Sequence, residues 1–182
     1  MIAVIDYDTG NLRSVENALK RIGGEFCVTD DGDVIRAASH VLLPGVGEAS
    51  SAMAKLRERG LDKVVRSLTQ PVLGICIGMQ LMCRSSEEGG VECLGIFDAQ
   101  VRKFDPGAGI KAPHMGWNTI TELRTGLLDG VAEESYLYFV HSFAPEISRH
   151  TIAKTDYGLP FSSALANAKN LHNNPAAASA QV

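Results

Sequence analysis

No apolar stretch in the chain approaches the roughly 20 residues a membrane-spanning helix needs, so no membrane partner is expected. Long basic runs are missing as well. Lys and Arg number 17 against 21 Asp and Glu, a net charge of -4, which argues against a nucleic-acid partner. The four cysteines, Cys27, Cys76, Cys83 and Cys93, form no Cys-x-x-Cys pair and no metal spacing, so no metal and no disulfide framework is expected. Reduced thiols of this kind fit a cytoplasmic protein. The opening MIAVIDYDTG carries no basic leader and no signal-type apolar segment, and reads as a first strand. Internal repeats and an interdomain linker are also missing. What remains, 182 residues of which 45% are hydrophobic, is enough for one domain, 1–182, with a sizeable core.

The chemistry that is present centres on Pro71 to Gln80, PVLGICIGMQ. An apolar run, Val72 to Ile75, reaches Cys76, and Met79, Leu81 and Met82 then recur at helical spacing. A short buried strand therefore enters a tight turn and a helix leaves it. Cys76 sits at the turn between Gly74 and Gly78, the G-x-C-x-G form of a nucleophile elbow. Such a corner strains the backbone and leaves little room for side chains, which glycine permits. The free N–H groups of a helix start favour the thiolate that attacks. The alternative is a buried structural cysteine beside a packing glycine.

Along the chain, strands are expected at Ile2 to Ile5, Glu25 to Thr29 and Val41 to Leu43. Helices fit Leu12 to Ile22, Asp33 to Ala38, Glu48 to Arg59 and Leu61 to Leu68. Alternation of this kind makes the fold class α/β: an open, mostly parallel sheet with helices on both faces, flavodoxin-like. Its sites lie at the carboxyl ends of strands, where Cys76 and the Pro44-Gly45-Val46-Gly47 loop both fall. The second half carries a smaller antiparallel portion. Cys93 to Phe104 reads as one or two antiparallel strands, Lys111 to Asn118 as a loop, Tyr136 to Val140 as a strong strand and Thr151 to Lys154 as another. From Asn167 the composition turns to Asn and Ala without period, so 167–182 is expected to be a poorly ordered, atypical tail or one held only by neighbours.

A cysteine nucleophile needs a base and donors for an oxyanion. Ile77 N–H, just past the thiol, and a backbone N–H of the Pro44 to Gly47 loop are candidate donors, although the loop reads equally as a plain strand-to-helix turn. Five histidines compete as base. His40 starts a strand and belongs at the opposite edge. His150 lies in a charged connection and reads as solvated. His114 sits in a loop, where it could bind or pack. His172 lies in the unpatterned tail. Spacing nominates His141, which ends a buried strand at the active edge; a merely hydrogen-bonded strand-end histidine fits it equally.

Several motifs then fall in order: PGVG at Pro44 to Gly47, GICIGMQ at Gly74 to Gln80, PHMGWN at Pro113 to Asn118, YFVHSF at Tyr138 to Phe143 and YGLPF at Tyr157 to Phe161. With the opening IAVIDYDTGNLRSVENAL, they resemble the glutamine amidotransferase subunits of imidazole glycerol phosphate synthase, within the class I glutamine amidotransferases, over about residues 1 to 165. The resemblance implies hydrolysis of L-glutamine at Cys76 through a glutamyl thioester, with no cofactor, and delivery of ammonia to a cyclase subunit with a (β/α)8 barrel fold in histidine biosynthesis. It also implies that Gln80, Ser142 and Phe143 hold glutamine, and that Val46 N–H, flanked by Gly45 and Gly47, joins Ile77 N–H in the oxyanion hole. Trp117, Asn118 and Tyr138 would face the cyclase. The family's base and its orienting acid lie in a late Phe-His-Pro-Glu segment. Here Phe161 precedes Ser-Ser, and His172-Asn173-Asn174-Pro175 has no Glu after it. No catalytic His or Glu is therefore assigned. A docking subunit with impaired catalysis stays open, as does another elbow-cysteine hydrolase, which would leave PHMGWN without a role.

Overall fold

The computed structural model describes residues 1–8, 11–105, 107, 109–124 and 126–167, and the backbone of Ala176–Ala178. The first half alternates as its apolar runs dictate: β1 Ile2–Ile5, α1 Leu12–Arg21, β2 Phe26–Thr29, α2 Gly32–Ala37, β3 His40–Leu43, α3 Ala49–Glu58, α4 Leu61–Ser67, β4 Val72–Ile75 and α5 Ile77–Met82. Side chains set the helix starts. Asn11 accepts from the Ser14 N–H at 3.3 Å, and Asp31 accepts from those of Asp33 and Val34 at 2.8 and 3.4 Å, which satisfies donors a helix leaves unpaired.

Then come β5 Ser85–Ser86, β6 Val91–Glu92, β7 Gln100–Lys103, β8 His114–Thr119, β9 Tyr136–His141, β10 Phe143–Pro145, β11 Thr151–Tyr157, β12 Leu159–Ala166 and β13 Ala176–Ala178. The main sheet runs β11-β12-β13-β4-β3-β1-β2. Strands β13, β4, β3, β1 and β2 are mutually parallel, and β11 and β12 close one side antiparallel. A second sheet, β10-β7-β5-β6, and a two-stranded ribbon, β8-β9, flank it.

Strand alternation divides the two faces. Ala3, Ile5, Val41, Leu43 and Val72 join α3 and α4 in the principal core. Ile2, Leu42, Leu73 and Ile75 look the other way, where with α1 they line an apolar groove of about 810 Å³ that reaches Cys76. Among the described residues, no helix is long and apolar enough to cross a membrane.

The second half corrects several expectations. Lys111 to Asn118 is not all loop, because His114–Thr119 is a strand. Its outward side chains are Met115, Trp117 and Thr119, while His114, Gly116 and Asn118 point inward; with no aliphatic residue inside, the period of two is masked. Cys93 to Phe104 holds one strand, β7, which runs antiparallel to β10 but parallel to β5. His150 is buried at 7% exposure, not solvated, and packs against the Phe97 ring at 5.4 Å. Strand β12 passed unseen because Ser162 and Ser163 interrupt it. Both are buried, bonding to the Thr151 and Thr155 hydroxyls, so polar pairs stand where aliphatics would have marked a core strand. Of the 167–182 segment, Asn167 and the backbone of β13 are described. Strand β13 slots between β12 and β4 in register Ala177 with Gly74. His172 lies outside the described residues.

Candidate active site

Cys76 stands between β4 and α5 with φ 55° and ψ -117°. A non-glycine residue there is strained, and the neighbours keep the corner tight. A Cβ on Gly74 would come 2.7 Å from Met82 Sδ and 2.8 Å from the Gly78 carbonyl, and one on Gly45 would come 2.7 Å from the Tyr7 hydroxyl. A Cβ on Gly78 would strike the Leu43 carbonyl oxygen. The Tyr7 hydroxyl donates to the Pro44 carbonyl at 2.7 Å, holding the Pro44 to Gly47 loop on the first turn of α5.

A cavity of about 100 Å³ opens at this corner, lined by Val46, Gly47, Cys76, Ile77, Gln80, Glu88, Val140, His141, Ser142 and Phe143. The structure thus brings together Cys76, both candidate donor segments, Gln80 and the Ser142–Phe143 backbone. Gly45 lies one residue outside, lining the apolar groove. Gln80 is buried, and its Oε1 has no hydrogen-bond partner among the described residues; an acceptor left so is poised for a ligand N–H. Glu88 was not among the residues the sequence singled out. Among the described residues it is the one carboxylate lining the cavity; it accepts from the Ala49 N–H at 3.0 Å, and burial pushes its pKa upward.

The histidines divide. His40 is exposed at the start of β3, on the opposite edge. His141 lines the cavity, but both its ring nitrogens are engaged. Nδ1 is 2.9 Å from the Phe143 carbonyl and must donate to it; Nε2 is 3.0 Å from His114 Nδ1 and so accepts. His114 Nε2 then accepts from the Asn118 amide at 3.4 Å. Both rings are neutral in this chain of donors. Burial lowers the pKa of His114 to about 4, with His141 adding to the effect, and burial lowers that of His141 despite its bond to Phe143. His141 is therefore a hydrogen-bonded strand-end histidine and does not serve Cys76 as a free base. Strand β13 runs parallel to β4, so its carboxyl end lies at the edge that holds Cys76.

The neutral pair predicts a pH effect. Unfolded histidines take up protons near pH 6.5, whereas folded His114 resists until about 4. Stability is then complete above pH 6.5, falls as pH drops toward 4 and levels off below, with unfolding favoured by up to a few kcal/mol. Glu88 works in the opposite sense. Melting temperature followed from pH 7 to 4.5 should decline, and His114→Phe should flatten the decline; equal slopes would refute the assignment.

On the outer face of the β8-β9 ribbon, Trp117 is 68% exposed and meets Tyr138 edge-on at 5.5 Å, with Met115 and Tyr136 also exposed. Asn118 does not share that face. Its side chain turns inward and donates to the Asp156 carbonyl at 2.9 Å. Among the described residues, no cluster of three or more His, Cys, Asp or Glu could hold a metal ion.

A thiol on a strained strand-to-helix corner, beneath a glycine loop at the carboxyl edge of a parallel sheet, has the geometry of a nucleophile elbow in an α/β fold. The comparisons are more specific. The family described as Glutamine amidotransferase class-I matches residues 3–167. The imidazole glycerol phosphate synthase subunit HisH of Bacteroides fragilis YCH46 is 54% identical over 165 residues, 90% of this chain and 84% of that protein. The HisH subunit of Shewanella loihica is 45% identical, over 90% and 77%. The solved structure of PurLQS from Thermotoga maritima shares the fold, with a TM-score of 0.66 at 17% identity over 99% of this chain and 86% of that one. The chain belongs to the class-I glutamine amidotransferases, among the HisH subunits of imidazole glycerol phosphate synthase.

Proposed function

We infer that this chain is the glutaminase subunit of an imidazole glycerol phosphate synthase, supplying ammonia to a cyclase subunit with a (β/α)8 barrel fold in histidine biosynthesis. The observation that carries this reading is Cys76 on its elbow in a chain 54% identical to a HisH subunit. The Cys76 thiolate attacks the side-chain carbonyl of L-glutamine. Backbone N–H groups of Ile77 and Val46 receive the oxyanion, and as the glutamyl thioester forms the C–N bond breaks, the proton given up by the Cys76 thiol returning through water to the departing nitrogen, which leaves as ammonia. Water then releases glutamate. Gln80 and the Ser142–Phe143 backbone hold the substrate, and the Glu88 carboxylate is the group in the cavity suited to its ammonium. The four free cysteines fit a reducing cytoplasm.

A second reading rests on the histidines. Among the described residues, the only one lining the cavity has both ring nitrogens bonded. An elbow without an imidazole base should turn over about 100- to 10,000-fold more slowly than one with it, leaving a subunit that docks but releases ammonia poorly. The experiment is to mix the full chain with the cyclase subunit and compare imidazole glycerol phosphate formation from glutamine with formation from ammonium salt. Glutamine-driven formation supports the first reading. Docking with ammonium-driven formation alone supports the second, and absence of a complex sinks both.

The ribbon face is the docking surface in this reading. Exposed Trp117 has the character of an interface anchor, and truncating such a residue costs about 2 kcal/mol or more. Trp117→Ala should therefore weaken the complex about 30-fold, read by titration calorimetry, with the melting temperature of the isolated chain unchanged. An unaltered affinity would place the cyclase elsewhere.

A further inference from the structure

The cavity wall at Ser142–Phe143 is a junction. Strand β9 ends at His141, the chain turns at Ser142, and β10 begins at Phe143 in a different sheet. Both carbonyls of the pair are held from outside the cavity. Ser142 O accepts from the Phe104 N–H at 3.0 Å, and Phe143 O accepts from His141 Nδ1–H at 2.9 Å. Peptides are planar, so the held Ser142 carbonyl fixes the Phe143 N–H, while the held Phe143 carbonyl fixes the plane of the next peptide and with it the rotation at Phe143 that closes the wall.

The second anchor is unusual because it does not end at His141. His141 Nε2 accepts a hydrogen bond from His114 Nδ1–H at 3.0 Å, and the His114 ring is locked by stacking between Phe139, at 4.9 Å and 16°, and Tyr157, at 3.9 Å and 21°. Phe104 and Phe161 stand edge-on to His141, each at 5.1 Å. Core packing alone needs only aromatic rings here. Two neutral imidazoles whose donors all point one way, from Asn118 to the Phe143 carbonyl, do something more: the proton on His114 Nδ1 dictates which His141 nitrogen is left to donate. We propose that His141 and His114 are positioning residues for glutamine, a directed hydrogen-bond chain through both rings that fixes the Phe143 carbonyl and with it the Ser142–Phe143 wall of the Cys76 cavity. This rests on the reading that glutamine occupies that cavity. It adds a role for PHMGWN: the inner side of β8 braces the substrate wall while its outer side carries Trp117.

The test uses the full chain and two alkylating agents, so it needs no turnover. The chloroketone analogue of glutamine reaches Cys76 only after being recognised, whereas iodoacetamide reports the bare thiol. His114→Phe and His141→Phe should each slow labelling of Cys76 by the chloroketone about tenfold, as expected for lost substrate recognition, and leave the iodoacetamide rate unchanged. His141→Asn, whose amide can donate in place of Nδ1, should recover most of the loss. Nitrogen-15 NMR of the unmodified protein should show both rings neutral with the proton on Nδ1, a readout that does not depend on any variant folding. Native chloroketone rates in both Phe variants, or a proton on His141 Nε2, would overturn the proposal alone. If glutamine fails to protect Cys76 of the unmodified protein from the chloroketone, the glutaminase reading falls first and takes the proposal with it.

Discussion

Cys76→Ser is expected to abolish glutamate release from glutamine by at least about a thousandfold, while cyclase turnover fed with ammonium salt stays at the native level. Serine matches cysteine in shape, so the corner at φ 55° and the cavity around it should persist. What is lost, in the proposed mechanism, is the sulfur nucleophile. A hydroxyl needs a base to attack, and among the described residues the one histidine lining the cavity has both nitrogens committed. The other thiols are badly placed: Cys27 lies on β2, three strands from β4 in the sheet. Cys83 is fully buried, and burial pushes its pKa far up, with Cys93 adding to the effect. Burial raises Cys93 to about 11, against a smaller opposing pull from Arg57. The measurement is glutamate production by the complex, with ammonium-driven product formation as the control. Residual glutaminase activity within tenfold of native would remove Cys76 from the mechanism.

Cys76 is buried except where it lines the cavity, and the residues that hold it there are those the sequence made easy to read. Short apolar runs closed by Asp6, by Pro44 and by the Cys76 turn have few alternatives to a buried parallel strand. Hence β1, β3 and β4, and the loops at their carboxyl ends, could be placed from pattern alone, and the structure sets Cys76, Ile77, Val46, Gly47 and Gln80 around one cavity. The other wall was harder because its residues are polar on the inside. His114 reads as a loop histidine until β9 supplies a partner for it, and its burial depends on Tyr157 and Phe139, distant in sequence. His141 was legible as a residue at the active edge but not as a base or a bonded ring; only the position of His114 decides that. Glu88 is a similar case. It follows a two-residue strand and precedes two glycines, and nothing local marks it as lining the cavity. Local pattern thus reports backbone and burial well, whereas polar groups paired across the chain are legible only once the pairing is known.

Gly78→Ala should cost more than its one methyl suggests. The first turn of α5 lies directly against the end of β3, and the added Cβ would strike the Leu43 carbonyl oxygen, with the Pro44 carbonyl carbon 3.3 Å away. A flexible side chain could yield, but a strand carbonyl cannot without moving β3. Overpacking a rigid site costs about 1–3 kcal/mol and sometimes more, and this contact belongs at the upper end. For a chain of this size, the melting temperature should drop by about 10 °C. The displaced turn carries Cys76 and the Ile77 N–H, so glutaminase activity should be lost even below the new melting point. Gly47→Ala provides the contrast. Its φ of +94° makes an alanine strained, but a Cβ there meets nothing within 4 Å, so a backbone cost of about 1 kcal/mol is expected. Scanning calorimetry of the two variants separates the effects. If Gly78→Ala melts no lower than Gly47→Ala and still labels at Cys76 like the native chain, then α5 does not depend on close approach to β3, and the corner is not held as described.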